Sequence, residues 1–231
     1  FPHRDCGQLE LTWTEWLFGH SAGRPTIENE GEADALLDPP VRPEDHVYGP
    51  AEAPVTVVQY GDYECPTSRK IYADLQRVMD GLSAETEQEL PFRYVFRHLP
   101  LRLRHPHAEQ ASVAAEAAAR QGAFWAMHEQ LFTHQDHLED EDLRMYAADI
   151  GLDVDQFEDD LHDDDLHERV MEDRNSAVRS GVRRTSNLFI DGRRHQGAYN
   201  PEAIARVIRR HIAMDRHSEE RGMRAARASV E

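Results

Sequence analysis

After a strand, a helix and a second strand, the apolar pattern of this chain turns helical for about eighty residues, and strand character then returns. That alternation limits the folds open to it. "VTVVQY", residues 55–60, is a β-branched run bounded by Pro54 and Gly61, the mark of a buried strand. A helix is predicted from about Pro66, with Ile71, Leu75, Val78 and Leu82 on one stripe. "PFRYVFRH", residues 91–98, reads as a second strand. Strand, helix and strand at this spacing make a βαβ unit, so the strands should run parallel with a right-handed crossover.

The helical stretch has three parts. "HAEQASVAAEAAARQG" ends at Gly122, and "AFWAMHEQLF" puts Phe124, Met127, His128, Leu131 and Phe132 on one face. "DLRMYAADIG" turns Leu143, Ala147 and Ile150 inward and ends at Gly151, a C-terminal cap. Strand character returns in "NLFIDGRRHQGAY", where Asp191-Gly192 is a hairpin signal because both turn positions need positive φ. Asn200 then caps a last helix opened by Pro201, with Ile204, Val207, Ile208 and Ile212 as its buried stripe. The order is βαβ, a helical insertion, then ββα: an α/β chain with a thioredoxin-like mixed sheet.

A chain of 231 residues makes one full domain with appendages, or at most two small domains. Residues 1–45 read as an N-terminal appendage and linker. "LTWTEWLF" offers Trp13, Trp16, Leu17 and Phe18 to an apolar surface, and "ENEGEADALLDPPVRPEDH" is acidic and proline-punctuated. Residues 214–231 read as a polar C-terminal tail or frayed helix.

Acidic residues number 44 against 26 basic, a net charge of −18. Phosphate contacts need clustered Lys and Arg, so a general nucleic-acid binder is excluded. Lys70 is the single lysine. Such a surface suits high salt, where self-repulsion is screened, and a halophilic source is the expectation. No apolar run is long enough to span a membrane. The start shows no basic n-region or apolar h-region, and a chain beginning at Phe1 is consistent with trimming. The compartment is therefore open, with the cytoplasm ahead of an extracytoplasmic site. Cys6 and Cys65 make neither a disulfide framework nor a zinc site.

"GDYECPTSRK", residues 61–70, places Cys65 where the first strand gives way to the helix, with Ser68 three residues on. Together with "YVFRHLPLRLRHPHAEQASVAAEAA", "QGAFWAMHEQLF" and "GVRRTSNLFIDGRRHQGAY", this segment resembles the DsbA-like branch of the thioredoxin superfamily. The resemblance covers about residues 46–213, in the family's order. It implies a thioredoxin-like domain over 46–213 whose helical subdomain, about 101–180, is inserted between the βαβ and ββα halves.

The resemblance also implies chemistry. In this family the strand-to-helix turn carries Cys-x-x-Cys, and the first cysteine sits at a helix N-terminus that stabilises a thiolate. Cys65 matches that position, so its thiol is expected to titrate about one to three units below the free value of ~8.5, against opposition from solvated Asp62 and Glu64. Ser68 matches the second cysteine; its hydroxyl can donate a hydrogen bond but cannot close a disulfide. Pro66 and Thr67 would tune the helix start. The family's cis-proline aligns with Ser186, and a non-proline cis bond costs ~2.5–4 kcal/mol, so Thr185–Ser186 is expected to be trans. Thr185 and Ser186 would form the substrate-facing loop.

The leading reading is a monothiol thiol-disulfide oxidoreductase acting on protein or small-molecule thiols and disulfides. Cys65 is its nucleophile, and an external thiol such as glutathione resolves the mixed disulfide. The rival is a non-catalytic binding or scaffold protein that has lost dithiol activity, and a third reading is a glutathione-handling transferase. Cys6 is most simply a free thiol in a flexible arm; the alternative is that it resolves Cys65. No resident cofactor is expected. Histidines cluster at 98, 105 and 107 and at 128, 134 and 137, but no metal-binding motif is present, so no metal is expected.

Overall fold

The structure is a computed structural model, and it describes residues 35–86 and 92–228. Its sheet is built from β1 (His46–Tyr48), β2 (Thr56–Gly61), β3 (Arg93–His98), β4 (Asn187–Ile190) and β5 (Arg193–Arg194) in the order β1-β3-β2-β4-β5. β2 and β3 run parallel, as the βαβ pattern requires, and every other pairing is antiparallel. Helix α1 (Pro66–Thr86) connects β2 to the segment leading into β3. Between β3 and β4 lie α2 (Ala108–Arg120), α3 (Phe124–Thr133), α4 (Asp140–Asp149), α5 (Val154–Asp160) and α6 (Asp164–Arg179). Helix α7 (Pro201–Ala228) closes the chain's described part.

The stripes read from sequence are the faces that pack. Ile71, Leu75, Val78 and Leu82 of α1 are all buried, in one core with Phe92, Tyr94 and Phe96 and with Ile204, Ile208 and Ile212 of α7. Burying each such side chain is worth about 2 kcal/mol. The hairpin turns at Asp191 (φ 47°) and Gly192 (φ 75°). Asn200 Oδ1 accepts from Ala203 N–H at 2.9 Å, the expected cap. Gly151 adopts φ 80° just past α4.

Three features differ from the sequence expectation. The segment from residue 214, read as a tail or frayed helix, continues α7 as helix to Ala228. The short strand β1 joins the sheet edge through β3, although three residues are too few to carry a periodicity. Thr185–Ser186 is cis, not trans. There Ser186 Oγ donates to Tyr60 O and accepts from Gln59 Nε2, each at 3.0 Å, so the loop is held against β2 by buried hydrogen bonds.

Residues 35–45 lie along the sheet. Leu37 N–H donates to Gly192 O at 2.8 Å, and the buried Arg97 guanidinium bonds Pro39 O, Pro40 O, Asp45 and Tyr60 Oη. "LTWTEWLF" lies outside the described residues.

Candidate active site

Sheet and helix meet at Gly61–Cys65. Gly61 ends β2 against the Phe96 ring, where any side chain would collide with it. The chain then turns: Cys65 N–H donates to Asp62 O at 3.1 Å, and Cys65 O accepts from Arg69 N–H at 3.2 Å. Cys65 is thus the residue before the first helical position, and Pro66 takes that position, where its missing N–H costs nothing. Pro66 is exposed and Thr67 half-buried, while Cys65 and Ser68 are buried.

Cys65 Sγ accepts a hydrogen bond from Thr185 Oγ1 at 3.3 Å. Sequence reasoning assigned the donor to Ser68; the structure engages Ser68 Oγ as acceptor of the Asp62 N–H at 3.1 Å. Helical spacing keeps position 68 beneath the turn, whereas the cis peptide loop brings Thr185 over the sulfur. Cys65 is disulfide-bonded, and no cysteine among the described residues is free. The chain's other cysteine, Cys6, lies outside the described residues.

Asp62 also departs from expectation. It is fully buried, not solvated. Its Oδ1 accepts from Glu64 N–H, and its Oδ2 accepts from Leu101 N–H and pairs with His105 Nδ1, each at 2.8 Å. His107 N–H donates to Glu64 Oε2 at 2.8 Å. The "HPH" loop after β3 therefore holds both acids of the turn. Burial alone would lower the His105 pKa, but the Asp62 hydrogen bond and the Asp62 and Glu64 charges outweigh it and raise the pKa.

Beneath the turn lies a buried polar layer. Gln59 Nε2 donates to Ser68 O and Ser186 Oγ, and Gln59 Oε1 accepts from Tyr94 Oη at 2.9 Å. Tyr63 Oη lies 2.8 Å from His128 Nδ1. Burial, aided by the charges of His98 and His46, holds His128 far below its ordinary pKa, so the ring is neutral.

His46, His98 and Glu116 form the cluster among the described residues that could hold a metal ion. They come from β1, β3 and α2, so no local motif could have announced them. Their ligand atoms already serve one another: Glu116 Oε1 lies 2.9 Å from both Nε2 atoms. Burial would raise the Glu116 pKa, yet these two hydrogen bonds hold it far below the ordinary value. The neighbouring charges balance, with the buried Arg97 and the half-buried Arg42 and Arg169 facing buried Asp45, Asp173 and Glu116.

A parallel βαβ unit, an antiparallel ββα unit and a cysteine at the first strand-to-helix turn define a thioredoxin fold, here with inserted helices. The chain belongs to the thioredoxin family, which matches residues 42–210. It is 44% identical over 181 residues to the Na(+)/H(+) antiporter NhaA 3 of Salinispora tropica, covering 78% of this chain and 26% of that protein. It is 41% identical over 194 residues to the Na(+)/H(+) antiporter NhaA of Herminiimonas arsenicoxydans, covering 84% and 30%. The chain thus spans under a third of these relatives, and no described helix is long and apolar enough to cross a membrane.

Similar solved structures include a thioredoxin-like oxidoreductase from Silicibacter pomeroyi, with TM-score 0.63 and 24% identity over 73% of this chain and 92% of that one. BdbD from Bacillus subtilis gives 0.62 and 19% over 72% and 92%, and α-DsbA1 from Wolbachia pipientis 0.62 and 18% over 77% and 96%. At these identities the likeness is one of fold, and the fold is that of DsbA-like proteins.

Proposed function

We propose that the chain carries out thiol–disulfide exchange at Cys65, with the resolving sulfur supplied from outside the Cys-x-x-Ser motif. The observation that carries this reading is a disulfide-bonded Cys65 with serine, not cysteine, three residues on. The Thr185 hydroxyl on its sulfur supports it further, since the same donor would stabilise a thiolate. The DsbA-like fold agrees with it.

In the reductive direction the Cys65 thiolate attacks one sulfur of a substrate disulfide. That S–S bond breaks, a Cys65–substrate disulfide forms, and the departing thiolate takes a proton from solvent. A second thiolate then attacks Cys65 Sγ, releasing the substrate as a thiol and leaving Cys65 disulfide-bonded to the resolving sulfur. A further low-molecular-weight thiol attacks that resolving sulfur, forms a disulfide with it and returns Cys65 as the thiolate. An external low-molecular-weight thiol such as glutathione fills that role in the leading form, and Cys6 is the intramolecular alternative. Thr185 positions the sulfur, Pro66 and Thr67 flank the approach, Ser68 holds the turn through Asp62 N–H, and Ser186 fixes the loop that carries Thr185 against β2.

The test is exchange with a glutathionylated peptide by the parent chain, Cys65→Ala and Cys6→Ala, with non-reducing peptide maps of each. Turnover lost in Cys65→Ala and kept in Cys6→Ala supports the external-thiol cycle; turnover lost in both supports Cys6 as the resolving sulfur. A parent chain without turnover, or Cys65→Ala that turns over normally, overturns the proposal. The rival, a binding module without turnover, is favoured by the complete burial of Cys65. It predicts peptide binding that is unchanged in Cys65→Ala.

A further inference from the structure

We infer that the groove between α1 and α3 binds a small organic cation carrying a quaternary ammonium group. The groove encloses about 510 Å³, within the range of small-molecule sites. Tyr48, Tyr72, Tyr94 and Trp125 all line it. Their rings meet at angles: Tyr48 and Trp125 are inclined by 69° with centroids 5.6 Å apart, and Tyr94 and Trp125 by 47° at 5.5 Å. Together Tyr48, Tyr72 and Trp125 make a corner of aromatic surface, and the buried Tyr94 packs against Tyr72 and Trp125.

That corner is held in place before any ligand arrives. Trp125 Nε1 donates to Val47 O at 3.3 Å, and Tyr94 Oη donates to Gln59 Oε1 at 2.9 Å. Fixed rings keep the ordering cost of binding low.

Charge selects the ligand. Asp80 and Glu129 line the groove, and neither has an ion-pair partner among the described residues. Arg77 is the cation of the lining, and its guanidinium turns to Asp74 at 3.0 Å. Burial, the Glu129 charge and Tyr48 push Tyr72 up to about 12, so its phenol stays neutral beside a carboxylate. An anion would meet two unneutralised carboxylates, and a neutral apolar ligand would leave both unused. A strongly hydrated metal ion would gain nothing from the rings. A weakly hydrated ammonium with apolar substituents uses both features, through cation–π contact with the rings and Coulomb attraction to the acids.

The groove is separate from the thiol. Its α1 residues begin seven positions beyond Cys65 and end fifteen beyond it, about 10–22 Å along the helix.

The experiment titrates choline into the full chain and follows the Trp125 indole N–H signal by NMR. Its uncharged isostere, 3,3-dimethylbutan-1-ol, is titrated in parallel. Saturable choline binding about tenfold tighter than the isostere is expected. Glu129→Gln and Tyr48→Leu, both at exposed positions, should each weaken choline binding about 3- to 30-fold while leaving Cys65 alkylation unchanged. Equal binding of choline and the isostere, an unsaturable response, or variants that bind as the parent does would overturn the inference.

Discussion

Thr185 Oγ1 donates to Cys65 Sγ at 3.3 Å across 120 residues of sequence. The donor belongs to the loop before β4 and the acceptor to the start of α1, so the sulfur's environment is completed only when the two halves of the fold meet. A hydroxyl aimed at sulfur favours the thiolate over the thiol.

Thr185→Val keeps the side-chain shape and removes that donor. After reduction, in a Cys6→Ala background, the pH midpoint of Cys65 alkylation should rise by about one unit, equivalent to ~1.4 kcal/mol. Thr185→Ser should restore it. Identical profiles for all three chains would show that the hydroxyl does not act on the thiolate.

The His105–Asp62 contact gives a pH dependence of defined sign. The folded-state pKa of His105 lies above its ordinary 6.5, so the histidine stabilises the fold fully below pH 6.5. That contribution is lost as pH rises through the raised value. Melting temperature should therefore fall more between pH 6 and 8 in the parent chain than in His105→Gln. Parallel curves would contradict the linkage.

Glu116 has the opposite sign. Its folded-state pKa lies below the ordinary 4.5, so its contribution is present above pH 4.5 and lost as pH falls through the depressed value. Glu116→Gln removes the buried carboxylate charge that faces His46 and His98 and should cost about 3 kcal/mol in urea unfolding at pH 7. Below pH 4.5 the variant should lose stability less steeply than the parent chain. A cost under about 1 kcal/mol would reduce the pair to a surface-like contact.

Net charge predicts a salt response. At −18, self-repulsion opposes the compact state, and added salt screens it. Raising salt from low to molar levels should raise the melting temperature. A flat or falling curve in a thermal-shift series would remove the basis for a halophilic origin.

Local chemistry was legible in the sequence wherever it repeats at short range. Four apolar residues on one helical stripe declared the buried face of α1, because side chains three and four apart share a face. Asp191-Gly192 declared its turn through the φ > 0 both positions adopt, and Asn200 its cap, since each acts within three residues. The cysteine at the strand-to-helix turn could be read from order alone. Tertiary structure decided what surrounds that cysteine. Which hydroxyl meets the sulfur, that Asp62 is buried against His105, and that His46, His98 and Glu116 converge depend on contacts between elements far apart in sequence. Packing then shifts the pKa values of His105 and Glu116, because the cost of desolvating a charge and the partners that offset it exist only once the chain is folded.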